Sequence, residues 1–344
     1  MNARRLPPEW APQAAMLLVW PRSAGDWGGG LAAARDTIAA MAAVLAERQA
    51  VILVAADAEC RQSIDGHPRL RAAVPPVVID APNDDIWVRD TGPLTVFDDE
   101  RVFVDFRFDG WGGRFSALND DRLTVTLHAA GVLGRGTLER RSAVLEGGSI
   151  EASGTGALLT TERCLLAGRR NAGLGRGGVE AMLGDAFGAT TIHWLAHGDL
   201  IGDDTDGHID TLARFVAVDT IAYQGCADES DPHFESLTAM RRELEALRAP
   251  DGTAYRLIEL PLPAPIHDPD DGHRLPAGYA NFVIANGCVL IPAFDDPADA
   301  VARQRLADCF PEREIIPIDS RALIRQHGGL HCASMQIPAE TAHG

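Results

Sequence analysis

The chain has 344 residues, 46% of them hydrophobic, enough to bury a large core. A net charge of −18 excludes a nucleic-acid surface, which needs clustered positive charge, and favours small cations at an acidic cleft. All 31 basic residues are arginine, so a lysine Schiff base, a pyridoxal phosphate site and a Walker A loop are ruled out.

The apolar run 14–20 is too short to span a membrane, lies between Pro12 and Pro21, and lacks a small-residue cleavage signal. A cytoplasmic protein with no membrane partner is the expectation. Helical periodicity then marks residues 31–48, 119–130, 178–187, 234–247 and 297–309. Strand-like runs fall at 51–55, 77–79, 101–106, 157–166, 190–195, 213–224, 255–262, 282–294 and 314–318. The last four helices start about 60 residues apart, the spacing of repeated strand-strand-helix-strand units. No Gly-Ser or Pro-rich linker divides the chain, and candidate site residues come from its beginning, middle and end. One domain, residues 1–344, around a central pocket is predicted.

Six cysteines lie far apart with no C-x-x-C pair, which removes zinc knuckles and thioredoxin-type motifs. Cys164 and Cys288 fall inside strand-like runs and read as buried core thiols. Cys332 is different, because Gly328 and Gly329 precede it and its surroundings are polar. It reads as a nucleophile in a pocket lined with carboxylates.

Two other clusters accompany it. In an extended segment Asp204, Asp206, His208 and Asp210 would share one side, unless Gly207 breaks the register. The same residues read equally as a hydrogen-bonded surface turn. Asp206-x-His208-x-Asp210 also has the spacing of manganese ureohydrolases; a binuclear site needs a second aspartate-rich segment, and residues 268–273, which could be offered, read as a solvated loop. Trp87-Val88-Arg89-Asp90-Thr91-Gly92-Pro93 reads as a strand running into a loop at a pocket. A tryptophan beside a carboxylate suits a guanidinium, which stacks on aromatic faces and presents paired donors. Glu146, followed by Gly147 and Gly148, offers a further carboxylate at a glycine turn or a plain hairpin.

These residues, with Leu6-Pro7-Pro8-Glu9-Trp10, Gly110-Trp111-Gly112-Gly113, Tyr279-Ala280-Asn281-Phe282 and Gly329-Leu330-His331-Cys332, resemble the agmatine deiminase and bacterial peptidylarginine deiminase family. That family belongs to the guanidino-group-modifying, or pentein, superfamily. The resemblance covers nearly the whole chain. It implies an α/β fold, a five-bladed propeller of ββαβ units around a central channel, with no metal or organic cofactor. By resemblance Cys332 is the nucleophile and His208 the general acid and base. Asp90 and Asp210 hold the guanidinium, and Glu146 supports substrate or His208. Trp87, Asp204 and Gly329 line the substrate site.

The implied reaction is attack of a Cys332 thiolate on a guanidinium carbon, loss of ammonia, and hydrolysis of an amidino-cysteine to a ureido product. Agmatine is the expected substrate, because free arginine needs a partner for its carboxylate and no arginine can be assigned to it. This chain departs from many agmatine deiminases at His327-Gly328-Gly329-Leu330 and at Thr211, which bears on that specificity. The alternatives are deimination of free or peptidyl arginine, a manganese ureohydrolase, or a non-catalytic guanidine-binding protein. The resemblance also implies a homodimer.

Overall fold

The computed structural model describes residues 4–340. Its strands form five small sheets. Four of them repeat one pattern, in which two strands pair antiparallel, a helix crosses over, and a third strand joins parallel to the second. They are β4 to β6 (Leu94–Asp98, Glu100–Arg107, Thr137–Val144), β7 to β9 (Ile150–Ala152, Ala157–Thr161, Thr191–Leu195), β10 to β12 (Ala213–Ala217, Thr220–Gln224, Arg256–Leu260) and β13 to β15 (Val283–Ala285, Cys288–Ala293, Glu314–Asp319).

The remaining blade is assembled from both ends of the chain. β1 (Gln13–Val19) pairs antiparallel with the last strand, β16 (Ser334–Pro338), and parallel with β2 (Ala50–Ala55); β3 (Val77–Asp80) extends the sheet. Because β16 supplies the first strand of this blade, the ring closes by backbone hydrogen bonds.

Each crossover helix lies close to its predicted position: Leu31–Ala46, Leu123–Ala129, Arg176–Phe187, Phe234–Ala246 and Ala298–Cys309. The alanine-rich first helix has high intrinsic propensity, and together with Gly28–Gly30 it reaches the length and apolarity of a membrane span. One face of it is nevertheless buried, through Ala34, Ile38, Met41 and Leu45, in the same core as Leu17, Leu18 and Leu53. Truncating a fully buried leucine such as Leu18 to alanine would cost about 2–5 kcal/mol.

Three strand expectations change. Residues 213–224 and 282–294 are hairpins, not single strands; the second turns at Asn286-Gly287, where Gly287 takes φ +70°. The run 157–166 is strand only to Thr161. There the Thr161 hydroxyl accepts from the Cys164 N–H and starts a helical turn, Glu162–Leu165, so Cys164 is not a strand residue.

Candidate active site

The first strand of every blade is preceded by a short segment carrying polar side chains. Asp90 comes before β4, Glu146 before β7, His208 and Asp210 before β10, Asn281 before β13 and Cys332 before β16. The ring therefore converges five loops held by rigid strands, although the residues are far apart in sequence.

Cys332 is buried, and its Sγ lies 3.2 Å from Asn281 Nδ2 and 3.6 Å from Asp210 Oδ2. Burial pushes its thiol well above the usual cysteine range, and the Asp210 and Asp90 carboxylates push it further. Asp210 is fully buried too. Its Oδ2 accepts from His331 Nδ1 at 2.8 Å, and its Oδ1 has no hydrogen-bond partner. Burial works against the Asp210 carboxylate, but the His331 contact outweighs it and holds the group below the ordinary range.

Asp90 sits in a short helix, Val88–Thr91, where a strand entering a loop was expected. Nor do Arg89 and Asp90 form an ion pair with each other. Arg89 reaches Gln336 Oε1 at 2.8 Å and the His331 carbonyl at 3.3 Å, beneath the site. Asp90 Oδ1 accepts from the Gly148 N–H and Oδ2 from Trp111 Nε1, both at 2.9 Å. Glycine is required at 148, because a Cβ there would lie 2.7 Å from His208 Nδ1 and 2.9 Å from Asp90 Oδ1.

His208 is 1% exposed, its Nδ1 is 3.7 Å from Asp90 Oδ1, and neither ring nitrogen has a hydrogen-bond partner. Burial lowers its pKa, but Asp90, Cys164 and Glu146 act in the opposite direction, and the net position is well above the usual histidine range. Glu146 Oε1 accepts from Arg170 Nε at 2.6 Å, while Oε2 is unpartnered. Burial raises the Glu146 carboxyl against the pull of Arg170 and His208.

The segment 204–210 is not extended. Asp206 and Gly207 both take left-handed backbone, φ +69° and +79°, and the chain turns between them. Asp206 consequently faces Arg114 and Arg170, whereas His208 faces Asp90 and Asp210 faces the Cys332 thiol. The D-x-H-x-D metal alternative loses its geometry here, since its first carboxylate is neutralised by two guanidinium groups. The aspartate-rich segment 268–273 is likewise tied up, with Arg325 on Asp268 and Asp270.

Above the thiol is a pocket of about 250 Å³. Its lining includes Cys332, Asp90, Trp87, Trp111, Asp204 and His327. A Cβ on Gly328 would lie 2.3 Å from the Trp87 ring, and one on Gly329 would lie 2.4 Å from Asn281 Oδ1. Of the predicted residues, Gly329 thus acts through packing against Asn281, while Trp87 and Asp204 border the pocket itself. A larger groove of about 760 Å³ between the first crossover helix and β15 contains none of these residues.

Several site residues had no role in the sequence reading. Trp111 holds Asp90 from a loop in which Gly110, Trp111, Gly112 and Gly113 all have positive φ. Cys164 lies against His208 and Glu146, the three ligand-type atoms within 4.8 Å of one another. Beneath Asp210, His331 Nε2 meets Glu9 Oε2 at 2.7 Å, and Arg214 binds both Glu9 and Glu151. The signal available in the sequence was motif membership of Glu9, Trp111, Asn281 and His331; spacing alone assigns them nothing.

Known proteins share this whole arrangement. The profile of the Porphyromonas-type peptidyl-arginine deiminase family matches residues 5–338. An agmatine deiminase of Pseudomonas putida is 36% identical over 363 residues, covering 97% of this chain and 95% of that protein. A cysteine-to-serine variant of the C. jejuni agmatine deiminase with substrate bound superposes with a TM-score of 0.90 at 32% identity, covering 98% of this chain and 97% of that one. A Porphyromonas gingivalis structure, provisionally described as an arginine deiminase, gives 0.91 at 43% identity over 98% and 99% of the two chains. A match of this length, through all five blades and the loops that meet at Cys332, makes the chain a member of the Porphyromonas-type peptidyl-arginine deiminase family.

Proposed function

We propose that the chain is a single-domain agmatine deiminase, hydrolysing agmatine to N-carbamoylputrescine and ammonia. The observation that carries this reading is the sign of the pocket. Asp26, Asp85, Asp90 and Asp204 line it together with Cys332, and no arginine is among the lining residues. A substrate with a guanidinium at one end and an ammonium at the other matches this; the carboxylate of free arginine does not.

The unpartnered acceptors define the reacting end. Buried polar atoms without partners are costly, and Asp210 Oδ1, Glu146 Oε2 and both His208 nitrogens are such atoms, with His208, Asp90 and Asp210 all bordering Gly148. A planar guanidinium with its five donors would satisfy the carboxylates and offset the burial of their charge. Its positive charge beside Cys332 lowers the thiol pKa, so binding itself produces the nucleophile.

The Cys332 thiolate attacks the guanidinium carbon to give a tetrahedral adduct. His208, protonated because of its carboxylate neighbours, gives a proton to the departing nitrogen; the C–N bond breaks and ammonia leaves. Neutral His208 then takes a proton from water, which attacks the amidino-cysteine. The C–S bond breaks, thiolate is regenerated and the ureido product departs. Glu146 steadies His208 in its imidazolium form.

All six cysteines are free, in keeping with a reducing, cytoplasmic setting. Peptidyl arginine remains the second reading because of the family profile and the Porphyromonas structure. Chelator-treated protein offered agmatine, free arginine and a blocked arginine peptide separately tests the choice. Selective release of ammonia from agmatine supports the proposal; turnover of the peptide alone retains the chemistry and changes the substrate; urea release only after manganese overturns both.

A further inference from the structure

We propose that Arg170 is a positioning residue for His208: its buried guanidinium fastens the loop carrying Glu146 to the turn carrying His208, and holds Glu146 as the carboxylate that faces the imidazole. The inference rests on His208 as the acid of the proposed reaction, and on no particular guanidine.

Arg170 is 2% exposed and follows the helical turn Glu162–Leu165. Its three side-chain nitrogens reach the loops of two different blades. Nε donates to Glu146 Oε1 at 2.6 Å, just before β7. Nη1 donates to Asp206 Oδ2 at 2.9 Å and Nη2 to the Thr205 carbonyl at 3.0 Å, both just before β10. The Thr205 hydroxyl in turn accepts from the His208 N–H at 3.1 Å, so the hold on Thr205 extends to the backbone of His208 itself. A planar fork of fixed donors suits this bridging, because one rigid group sets the separation of both loops.

The following residue latches Arg170 in place. Asn171 takes left-handed backbone, φ +48°. Its Oδ1 accepts from the Val144 N–H at 2.8 Å and its Nδ2 donates to the Val144 carbonyl at 2.7 Å, so the strand end that leads to Glu146 is tied to the same segment.

Charge makes Arg170 more than a brace. Glu146 is fully buried; burial and Asp90 push its carboxyl up, and Arg170 and His208 pull it down. Asp206 is shared with Arg114, so one charge of Arg170 is set against two carboxylates. His208 is faced by Asp90, Cys164 and Glu146, and by Asp204 and Asp210 from its own segment. Without the Arg170 charge the buried Glu146 takes up a proton. His208 then loses one of the negative neighbours that keep it an imidazolium, and gives up its own proton at lower pH. Arg170 is not among the pocket-lining residues, so it acts on the acid and not on substrate binding.

The test is the pH titration of the His208 ring, followed by NMR in histidine-labelled protein and assigned with His208→Asn. It requires no substrate and stands whether or not agmatine is turned over. Arg170→Gln removes the charge and keeps a polar side chain. The His208 midpoint should move down by about one pH unit or more, the effect of one charge a few ångströms away. The falling alkaline limb of kcat should move with it, with KM within about twofold of wild type. Arg170→Lys keeps the charge on a single nitrogen, so it should return the midpoint close to the wild-type value while kcat stays reduced. Glu146→Gln leaves Arg170 in place and should give the same downward shift, which provides the readout if Arg170→Gln does not fold. A folded Arg170→Gln or Glu146→Gln protein with an unmoved His208 titration overturns the proposal; Arg170 would then be a brace between blades only.

Discussion

Trp111 donates its indole N–H to Asp90 Oδ2 while the Gly148 N–H occupies Oδ1, so both carboxylate oxygens are aimed before any ligand arrives. Trp111 has φ +56°, an uncommon backbone for a bulky residue, and it packs edge-on against Phe108 and Phe115 at 4.9 and 5.7 Å. The carboxylate that would clamp the guanidinium is thus positioned by a loop held in strained conformation. Trp111→Phe keeps the ring and removes the donor. KM for the guanidine should rise about tenfold or more, the worth of one hydrogen bond to a charged group. An unchanged KM, read from steady-state kinetics, would separate Asp90 orientation from substrate binding.

Removing the nucleophile and removing the clamp should have different signatures. Cys332→Ala should abolish turnover and retain binding of agmatine by calorimetry, whereas Asp90→Ala should lose both. Full activity in the Cys332→Ala protein would end the covalent mechanism.

A methyl group at position 148 enters the space between His208 and Asp90, with contacts as short as 2.7 Å. Gly148→Ala should therefore lower kcat/KM by about 100-fold or more, since small displacements of reacting groups have effects of that size. The melting temperature should change little by comparison. Retention of activity within a few-fold would mean that this loop is free to move aside.

Two titrations set the pH behaviour. The Cys332 thiol of the free protein is raised by burial and by Asp210 and Asp90, so alkylation should be slow at neutral pH and accelerate only under alkaline conditions. A bound, unreactive guanidinium should shift its ionisation to lower pH. His208 is raised above the usual histidine range, so the acid form needed to release ammonia persists at neutral pH, and kcat should fall as pH rises through that raised value. A thiol that ionises identically with and without the guanidinium argues against ligand-promoted ionisation.

Glu9 belongs to the Arg214 and His331 network beneath Asp210. Burial raises its carboxyl, but Arg214 and His331 dominate and hold it well below the usual carboxylate range. The stability it contributes is fully present above about pH 4.5 and is lost as pH falls below that. Glu9→Gln should lower stability at neutral pH by about 3 kcal/mol, because Arg214 and His331 then lose a buried counter-charge. Urea midpoints at neutral and acid pH provide the check, with the variant less pH-sensitive than the parent.

Long, strongly periodic segments were the most legible part of the fold. All five crossover helices lie within a few residues of the expected spans, because an amphipathic or alanine-rich run carries its own signal. Short apolar strands were harder. β10 and β11 merge into one apolar run, since the turn at Val218-Asp219 has no glycine or proline to mark it. β1, β4, β7 and β16 were missed: β4, β7 and β16 are short and flanked by motif residues, and the apolar run 14–20 was weighed only as a membrane segment. The misplacement of Cys164 came from continuing a strand through Thr161, whose hydroxyl instead caps a helical turn.

The sequence by itself determined the chemical inventory: an acidic, lysine-free chain with a Gly-Gly-flanked cysteine, a tryptophan beside an aspartate, and the ordered motifs of a deiminase family. It did not determine which carboxylates face the sulfur. Asp206 and Asp210 flank His208 symmetrically in the sequence, yet two left-handed residues turn one toward Arg114 and Arg170 and leave the other 3.6 Å from Sγ. Asn281 and Cys332 are remote along the chain and meet only because β16 returns to pair with β1 and closes the ring. Contacts between loops of different blades depend on that closure, a long-range constraint that no local window of residues contains.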